Sequence, residues 1–354
     1  MRALRKETDV SVIKVGLVGP GTIGRVHRDA IGATEGLELT AVAGGTEEEL
    51  ELFAAPQGVR LFSDAASMIE QASLDVVVIA TPSGTHYAPA RAALDKGLHV
   101  VVEKPLAVDL DEAIDLYRRS QAAGLVCSTM SQRRLEAQHQ DIHRRLRSGD
   151  LGRSVAIEGQ VYWHRADAYY DEKPWRKLDV QGGGSLFNQG IHTLDLMLWL
   201  FGPLASVMAE ATNIAGREGG SEDLCQALLT FQNGARGIIV TSTATPPGRP
   251  ASLMVFTDRG HVAINHTDVV EWTFPDQPLP TAADASIKSG AGSQVSIGIR
   301  GHVDQWLDIR DAIRDGRPAD ITFRDGLEAV RVITAIYRSA ETGRRIVMSD
   351  VGDA

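Results

Sequence analysis

Hydrophobic patterning splits the chain into two parts. In the first, short apolar runs at residues 12–18, 37–43, 59–62, 75–80, 98–102 and 125–130 alternate with amphipathic stretches. The run at 75–80 (DVVVIA) is nearly all apolar, as expected of a parallel strand buried on both faces. Helical periodicity fills the gaps at residues 25–33, 88–96 and 109–123, with another helix starting near Asp64. Strands alternating with helices predict a doubly wound parallel sheet. Past residue 133 the pattern changes. A helix at 136–146 precedes a long alternating strand at 155–164, and further strands are expected at 205–212, 226–231, 235–241, 252–256 and 261–265. Asn233-Gly234 and Asp258-Arg259-Gly260 read as hairpin turns, so this second sheet is mostly antiparallel. Two amphipathic helices, 303–314 and 326–342, close the chain, the latter opening near a capping box at Asp325 and Glu328.

The predicted fold class is therefore α/β, with residues 1–133 as a doubly wound domain and 134–354 as an α+β domain. A chain of 354 residues is too long for one ordinary core, which agrees with two domains. An apolar content of 43% and a charged content of 23% are those of a soluble globular protein. The formal net charge of -10 argues against a nucleic-acid partner. Cys127 and Cys225 form neither a disulfide framework nor a metal-site spacing, which fits a reducing compartment. Residues 1–11 are charged and do not read as a secretory signal. No apolar run approaches the ~18 residues needed to span a bilayer. The expected location is cytoplasmic, without a membrane partner.

Candidate chemistry begins at the first strand, which runs into Gly19-Pro20-Gly21-Thr22-Ile23-Gly24. This is G-x-G-x-x-G between a strand and a helix. In that context the glycines allow a tight turn, backbone approach to a pyrophosphate and close helix–strand packing. The helix N-terminus then offers free N–H groups to the phosphates. Gly19, Gly21, Thr22, Ile23 and Gly24 are the expected dinucleotide contacts. The end of the second strand, where an acid commonly holds the adenosine ribose, reads Gly44-Gly45-Thr46, so Gly44 and Thr46 stand where that contact would fall. With neither carboxylate nor arginine there, the coenzyme is NAD or NADP. Glu47, Glu48 and Glu49 follow and incline the reading to NAD if they face the ribose; otherwise they are a solvated first helical turn.

Thr81, Pro82 and His86 lie in the loop after the 75–80 strand, at the sheet edge where such folds bind ligands. Glu103 and Lys104 end the next strand on the same edge, before Pro105, whose peptide bond suits the cis form. Lys104 there can hydrogen-bond a substrate hydroxyl and stabilise a developing alkoxide; an ordinary surface lysine is the alternative. Tyr162 and His164, ending the long strand, and Trp175 and Arg176, in the aperiodic segment 167–184, suit stacking on a sugar ring and grasping its hydroxyls. Residues 275–296 read as a long polar loop. The stretch from Gly182 to Pro203 reads as three glycines, one helix and a Gly-Pro stop. Asn188, His192 and Asp195, spaced by four and three, share one helical face. They read either as a catalytic stripe or as a core histidine held by Asp195.

Together these residues resemble the glucose–fructose oxidoreductase / inositol dehydrogenase / MocA-type oxidoreductases. The resemblance rests on the glycine fingerprint, Thr81-Pro82, Glu103-Lys104-Pro105 and Gly190-Ile191-His192-Thr193-Leu194-Asp195. It implies an N-terminal Rossmann domain and a C-terminal domain whose open sheet often forms a homodimer or homotetramer interface. It further implies hydride exchange between NAD(P) and a carbinol carbon of a sugar, polyol or sugar derivative. On the matching positions, Lys104 is the active-site lysine, supporting the substrate oxygen, and His192 the acid/base. Asp195 orients the ring or holds the helix. Many members carry aspartate four residues before the histidine; Asn188 stands there instead and can hydrogen-bond but not shuttle a proton. Two other functions use the same scaffold: a glycosidase that retains NAD and oxidises its substrate transiently, and a non-catalytic nucleotide or sugar sensor.

Overall fold

The structure is a computed structural model that describes residues 12–54, 58–178, 181–280 and 298–352. Six parallel strands form the first sheet: β1 (Ile13–Val18), β2 (Leu37–Ala43), β3 (Arg60–Phe62), β4 (Val76–Ile79), β5 (His99–Val102) and β6 (Cys127–Thr129). Their order, β3-β2-β1-β4-β5-β6, reverses direction at the β1/β4 junction. That switch point opens a crevice at the strands' carboxyl ends. β4 is buried along its whole length, as its unbroken apolar run requires. The connecting helices are α1 (Thr22–Gly32), α2 (Glu47–Ala54), α3 (Ala65–Gln71), α4 (Tyr87–Asp95) and α5 (Leu110–Ala123). Asp64 and Asp109 cap α3 and α5 by accepting from backbone N–H groups of Ser67 and Glu112.

The second sheet has eight strands: β7 (Ser154–Tyr162), β8 (Leu204–Thr212), β9 (Leu224–Phe231), β10 (Arg236–Ser242), β11 (Ser252–Thr257), β12 (His261–Asn265), β13 (Asp268–Trp272) and β14 (Ile346–Val347). The order is β13-β12-β11-β7-β10-β9-β8-β14, antiparallel except for the β7/β10 pair. The mostly antiparallel open sheet expected from the sequence is present, with β13 and the two-residue β14 as additional edge strands. α6 (Ala137–Ser148) leads into this half. One face carries α8 (Ile191–Phe201) against β7 and α10 (Phe323–Thr342) against β8. The opposite face exposes Met208, Leu228 and Ile238 in directly paired positions of β8, β9 and β10.

Three local readings are corrected. The stretch expected to be one helix after Gly184 begins as a π-helical turn, Leu186–Gly190, before the α-helix proper. The aperiodic segment 167–184 contains a short helix α7 (Asp167–Glu172) and a 3-10 turn (Pro174–Lys177). The last capping box is closed by Thr322 and Asp325, one turn before Glu328. Most of the polar loop expected at 275–296 lies outside the described residues. The Lys104–Pro105 peptide is cis. Among the described residues no helix is long and apolar enough to cross a membrane.

The two halves interlock through their last helices. α9 (Arg300–Asp315) buries Trp306, Ile309 and Ala312 in the core built by β1, β2 and α1. α10 packs against both α5 and β8. Distance between α8 and the second sheet is set by Gly159 in β7: a Cβ there would stand 2.7 Å from Met197 Sδ and 2.8 Å from Thr193 Cγ2. Gly159→Val should therefore push α8 off the sheet and cost about 1–3 kcal/mol by overpacking. Urea unfolding of the variant checks this, and an unchanged midpoint would show that α8 has room to spare.

Candidate active site

The glycine loop meets its geometric requirements. Gly19 has φ +102°, and a Cβ on it would stand 2.7 Å from the Ala80 carbonyl. A Cβ on Gly24 would collide with the Gly19 carbonyl oxygen, so α1 can lie against the loop only with glycine there. Gly21, by contrast, faces open space and is the N-cap of α1, with no side chain satisfying the helix N–H groups. The result is a cradle for a pyrophosphate at a helix N-terminus.

That cradle opens into a cleft of about 960 Å³ between the two sheets. Gly19, Gly21, Thr22 and Ile23 line one end, with Thr81, Pro82 and His86 beside them. His86 is buried and spans two carbonyls, with Nδ1 2.8 Å from Pro105 O and Nε2 2.9 Å from Thr81 O. The neutral ring carries one N–H and so donates to one of these two carbonyls at a time. Of the other expected coenzyme contacts, Gly24 packs behind the loop. Gly44 donates its N–H to Phe62 O, and Thr46 caps α2; neither lines the cleft, whereas Gly45 and Glu49 do.

Glu103 is 7% exposed and fully engaged. Its Oε1 meets His27 Nε2 at 3.1 Å and His302 Nε2 at 3.3 Å, and Oε2 accepts the Lys104 N–H at 3.2 Å. The Trp306 indole N–H donates to His27 Nδ1 at 3.0 Å. An indole can only donate, so the His27 proton is on Nε2 and points at Glu103. Three such groups could gather a cation, but this tautomer turns an N–H, not a lone pair, toward the centre. Burial alone would raise the Glu103 carboxyl; the hydrogen bonds from His27 and His302 outweigh it and hold Glu103 well below the usual carboxylate range.

Lys104 follows directly and donates from Nζ to the Asn188 carbonyl at 3.1 Å. Asn188 and His192 both line the cleft. Asp195 does not join them: both its oxygens are held by Arg134, at 2.6 and 2.8 Å, and Arg134 also pairs with Asp325 at 2.7 Å. Asp195 thus anchors α8 to the segment after β6 and to α10 and leaves the His192 ring alone. The π turn brings Asn188 and Gln189 to the cleft beside His192 and Thr193 of the α-helix that follows. Burial, then the positive charges of Lys104 and Arg133, hold His192 well below the ordinary histidine value. Burial likewise lowers Lys104, with Glu103 opposing.

The far wall differs from expectation by one residue of register. Trp163 and Arg165 face the cleft, while Tyr162 and His164 fall on the other side of the strand, Tyr162 beneath Arg249 and His164 bridged to Ala244. Successive side chains of an extended chain alternate, so choosing the even positions selected the wrong face. Trp175 and Arg176 do line the cleft, and Arg176 stacks on Tyr169 at 3.9 Å. Tyr169 in turn accepts from Asn188 Nδ2 at 3.2 Å, linking this wall to the π turn. Arg133, Lys173, His266 and His302 complete the cleft without having been singled out from the sequence.

The comparisons with known proteins agree with this geometry. Residues 13–131 match the model of an oxidoreductase family with an NAD-binding Rossmann fold, and residues 139–263 match the GFO/IDH/MocA C-terminal domain. The rhizopine catabolism protein MocA of Rhizobium meliloti is 29% identical over 250 residues, covering 70% of this chain and 76% of that protein. D-apiose dehydrogenase of Paraburkholderia graminis is 26% identical, covering 97% and 92%. Among solved structures, the WlbA dehydrogenase of Bordetella pertussis in complex with NADH and UDP-GlcNAcA superposes with a TM-score of 0.84 at 30% identity. The match covers 95% of this chain and 98% of that one. The chain belongs to the Gfo/Idh/MocA family. It is an NAD(P)-dependent oxidoreductase acting on CH–OH groups.

Burial leaves a signature in solution. His27, His86, His99, His143 and His192 are all held below the ordinary histidine value, in each case chiefly by burial. As the pH falls through about 6.5 the unfolded chain binds protons at these positions and the folded chain does not, so stability is lost. Glu222, pushed up to about 7 by burial, and Asp195, also raised by burial, act in the opposite sense, their contributions being lost as the pH rises. Glu112 is raised by burial in the same way; the five histidines outnumber these three carboxyls, and the melting temperature should fall between pH 7 and pH 5. Thermal melts across that range test it; a rise on acidification would contradict the neutral buried histidines.

Proposed function

We propose that this enzyme transfers a hydride between NAD(P) and a secondary alcohol carbon of a sugar, polyol or sugar derivative. In this reading His192 is the acid/base and Lys104 supports the substrate oxygen. The observation that carries it is the meeting of Lys104, from the carboxyl edge of the first sheet, with His192, from the π/α8 segment, in one cleft that also holds the glycine cradle. Bound nicotinamide supplies the hydride acceptor; the chain's own groups manage the proton and the position of the alcohol. His192 is neutral at physiological pH and is able to take the hydroxyl proton. The Lys104 ammonium, already directed at this region by its bond to the Asn188 carbonyl, offers its remaining donors to the oxygen as negative charge develops. Asn188, held by Tyr169, serves as a substrate hydrogen-bonding group and not as a proton carrier.

Arg133, Arg165 and Arg176 line the cleft, and Trp163, Tyr169 and Trp175 accompany them. Arginines recognise carboxylate and phosphate groups, and aromatic faces stack on sugar rings. This wall supports an acidic or phosphorylated sugar derivative over a neutral polyol. The UDP-GlcNAcA in complex with the WlbA dehydrogenase is a ligand of that kind. The exposed row Met208, Leu228 and Ile238 supports a homodimer or homotetramer formed through the open sheet.

Lys104→Met and His192→Asn should each lower kcat/KM by about 100- to 10,000-fold, with NADH affinity within about threefold of the parent. Absorbance at 340 nm with neutral polyols, uronic acids and nucleotide sugars, beside calorimetric titration of the coenzyme, supplies both readouts. Full turnover in either variant would remove that residue from the mechanism. Tight coenzyme binding with no net redox on any substrate would favour the hydrolase or sensor alternatives. Asn188→Asp adds a carboxylate close to His192, which raises the histidine pKa. The acid limb of the kcat/KM profile for alcohol oxidation should then move to higher pH; an unmoved limb would separate the two residues.

A further inference from the structure

β2 ends at Ala43 without the acid that commonly holds the adenosine ribose, and the chain turns through Gly44 and Gly45 into α2. Glu49 returns a carboxylate to that spot. Thr46 Oγ1 accepts the Glu49 N–H at 3.2 Å, and Glu49 Oε2 accepts the Thr46 N–H at 3.0 Å, a reciprocal capping box. The reach-back brings Glu49 Oε2 to 2.9 Å from where a Cβ of Gly45 would stand, so the carboxylate occupies space that glycine leaves open. Glu49 lines the cleft beside Pro20 and Gly21, whereas Glu47 and Glu48 are exposed and do not. Its second oxygen, Oε1, lies 3.8 Å from Nζ of Lys173, which reaches across from the opposite wall.

We propose that Glu49 replaces the missing strand-end acid: it accepts a hydrogen bond from the adenosine ribose 2′-hydroxyl and makes the enzyme select NAD over NADP. This rests on the reading of the cleft as a dinucleotide site. A 2′-phosphate would meet the Glu49 carboxylate, whose position is fixed by the capping box, while the facing lysine charge is already offset by the same carboxylate. Selectivity thus comes from the first turn of α2 and not from the end of β2.

Calorimetric titration with NADH and NADPH tests it without reference to turnover. Glu49→Gln is the informative variant, because glutamine keeps the capping acceptor while removing the charge. The parent should prefer NADH at least tenfold. Glu49→Gln should shrink the NADH/NADPH affinity ratio at least tenfold at an unchanged melting temperature. Lys173→Met should weaken NADPH further and keep NADH preferred. A parent that prefers NADPH, an unchanged ratio in Glu49→Gln, or loss of NADH preference in Lys173→Met each overturns the assignment, the last transferring selectivity to the lysine. Parent protein that binds NADH with an unaltered ratio in the glutamine variant refutes Glu49 alone. A parent that binds neither dinucleotide refutes the cleft reading as well.

Discussion

The buried carboxylate of Glu103 is the constraint around which the cleft is assembled. It receives His27 from α1, His302 from α9 and the backbone N–H of Lys104 from its own loop. These elements come from the glycine-loop helix, the end of the chain and the strand edge. Removing one partner of a buried, hydrogen-bonded ionic group costs about 3–5 kcal/mol, because the remaining group stays desolvated. The arrangement therefore strongly disfavours any displacement of α9 from α1. It also holds the backbone of Lys104 in place, and so the direction in which that side chain leaves the sheet. The glycine cradle and the lysine share one rigid support.

A second ionic knot governs the other catalytic candidate. Arg134 bridges Asp195 of α8 and Asp325 of α10 while stacked near Trp199. α8 is thereby fastened at its buried face, and Gly159 lets it sit close to β7. Just before these fixings, the π turn presents Asn188 to the cleft, and the first turn of α8 presents His192. The helix has a mostly apolar surface, so its few polar residues must either pair internally or face a polar cavity. Asp195 takes the first course and His192 the second.

Much of this was legible because it depends on local rules. The strand–helix alternation, the glycine fingerprint and the Lys104 edge position follow from periodicity and turn chemistry, and the sheet order conforms to them. What escaped depends on contacts distant in sequence or on one-residue register. Trp163 and Arg165 differ from Tyr162 and His164 only in parity, which no local propensity decides. Asp195 looked like a partner for His192 at helical spacing, and nothing in the sequence marked Arg134 as the competitor. Other signals were present and unused. His302, Gln305, Trp306, Ile309 and Ala312 form one buried stripe on α9, and polar residues on an otherwise core-facing stripe demand buried partners. Thr46-Glu47-Glu48-Glu49 spells a capping box, which returns its last side chain toward the helix start. Periodicity alone left Glu47, Glu48 and Glu49 between facing the ribose and forming a solvated turn; the capping box singles out Glu49.

The electrostatics of the proposed proton step follow from the same architecture. A base that accepts a proton from an alcohol must be neutral beforehand, and a group that supports the alkoxide must be cationic. Burial penalises charge on both His192 and Lys104, yet Glu103 lies against the lysine and favours its ammonium form. His192 has the reverse balance, since Lys104 and Arg133 add to the effect of burial, and Glu103 opposes only in part. The ordinary lysine value lies about four units above that of histidine, so the lysine stays charged and the histidine neutral near neutral pH, and Glu103 supports the lysine's charge against burial. An aspartate at position 188 would blunt this difference by stabilising imidazolium. With Asn188 there, no carboxylate at that position favours the imidazolium, and the Glu103 that supports the lysine's charge also holds the two halves of the cleft together.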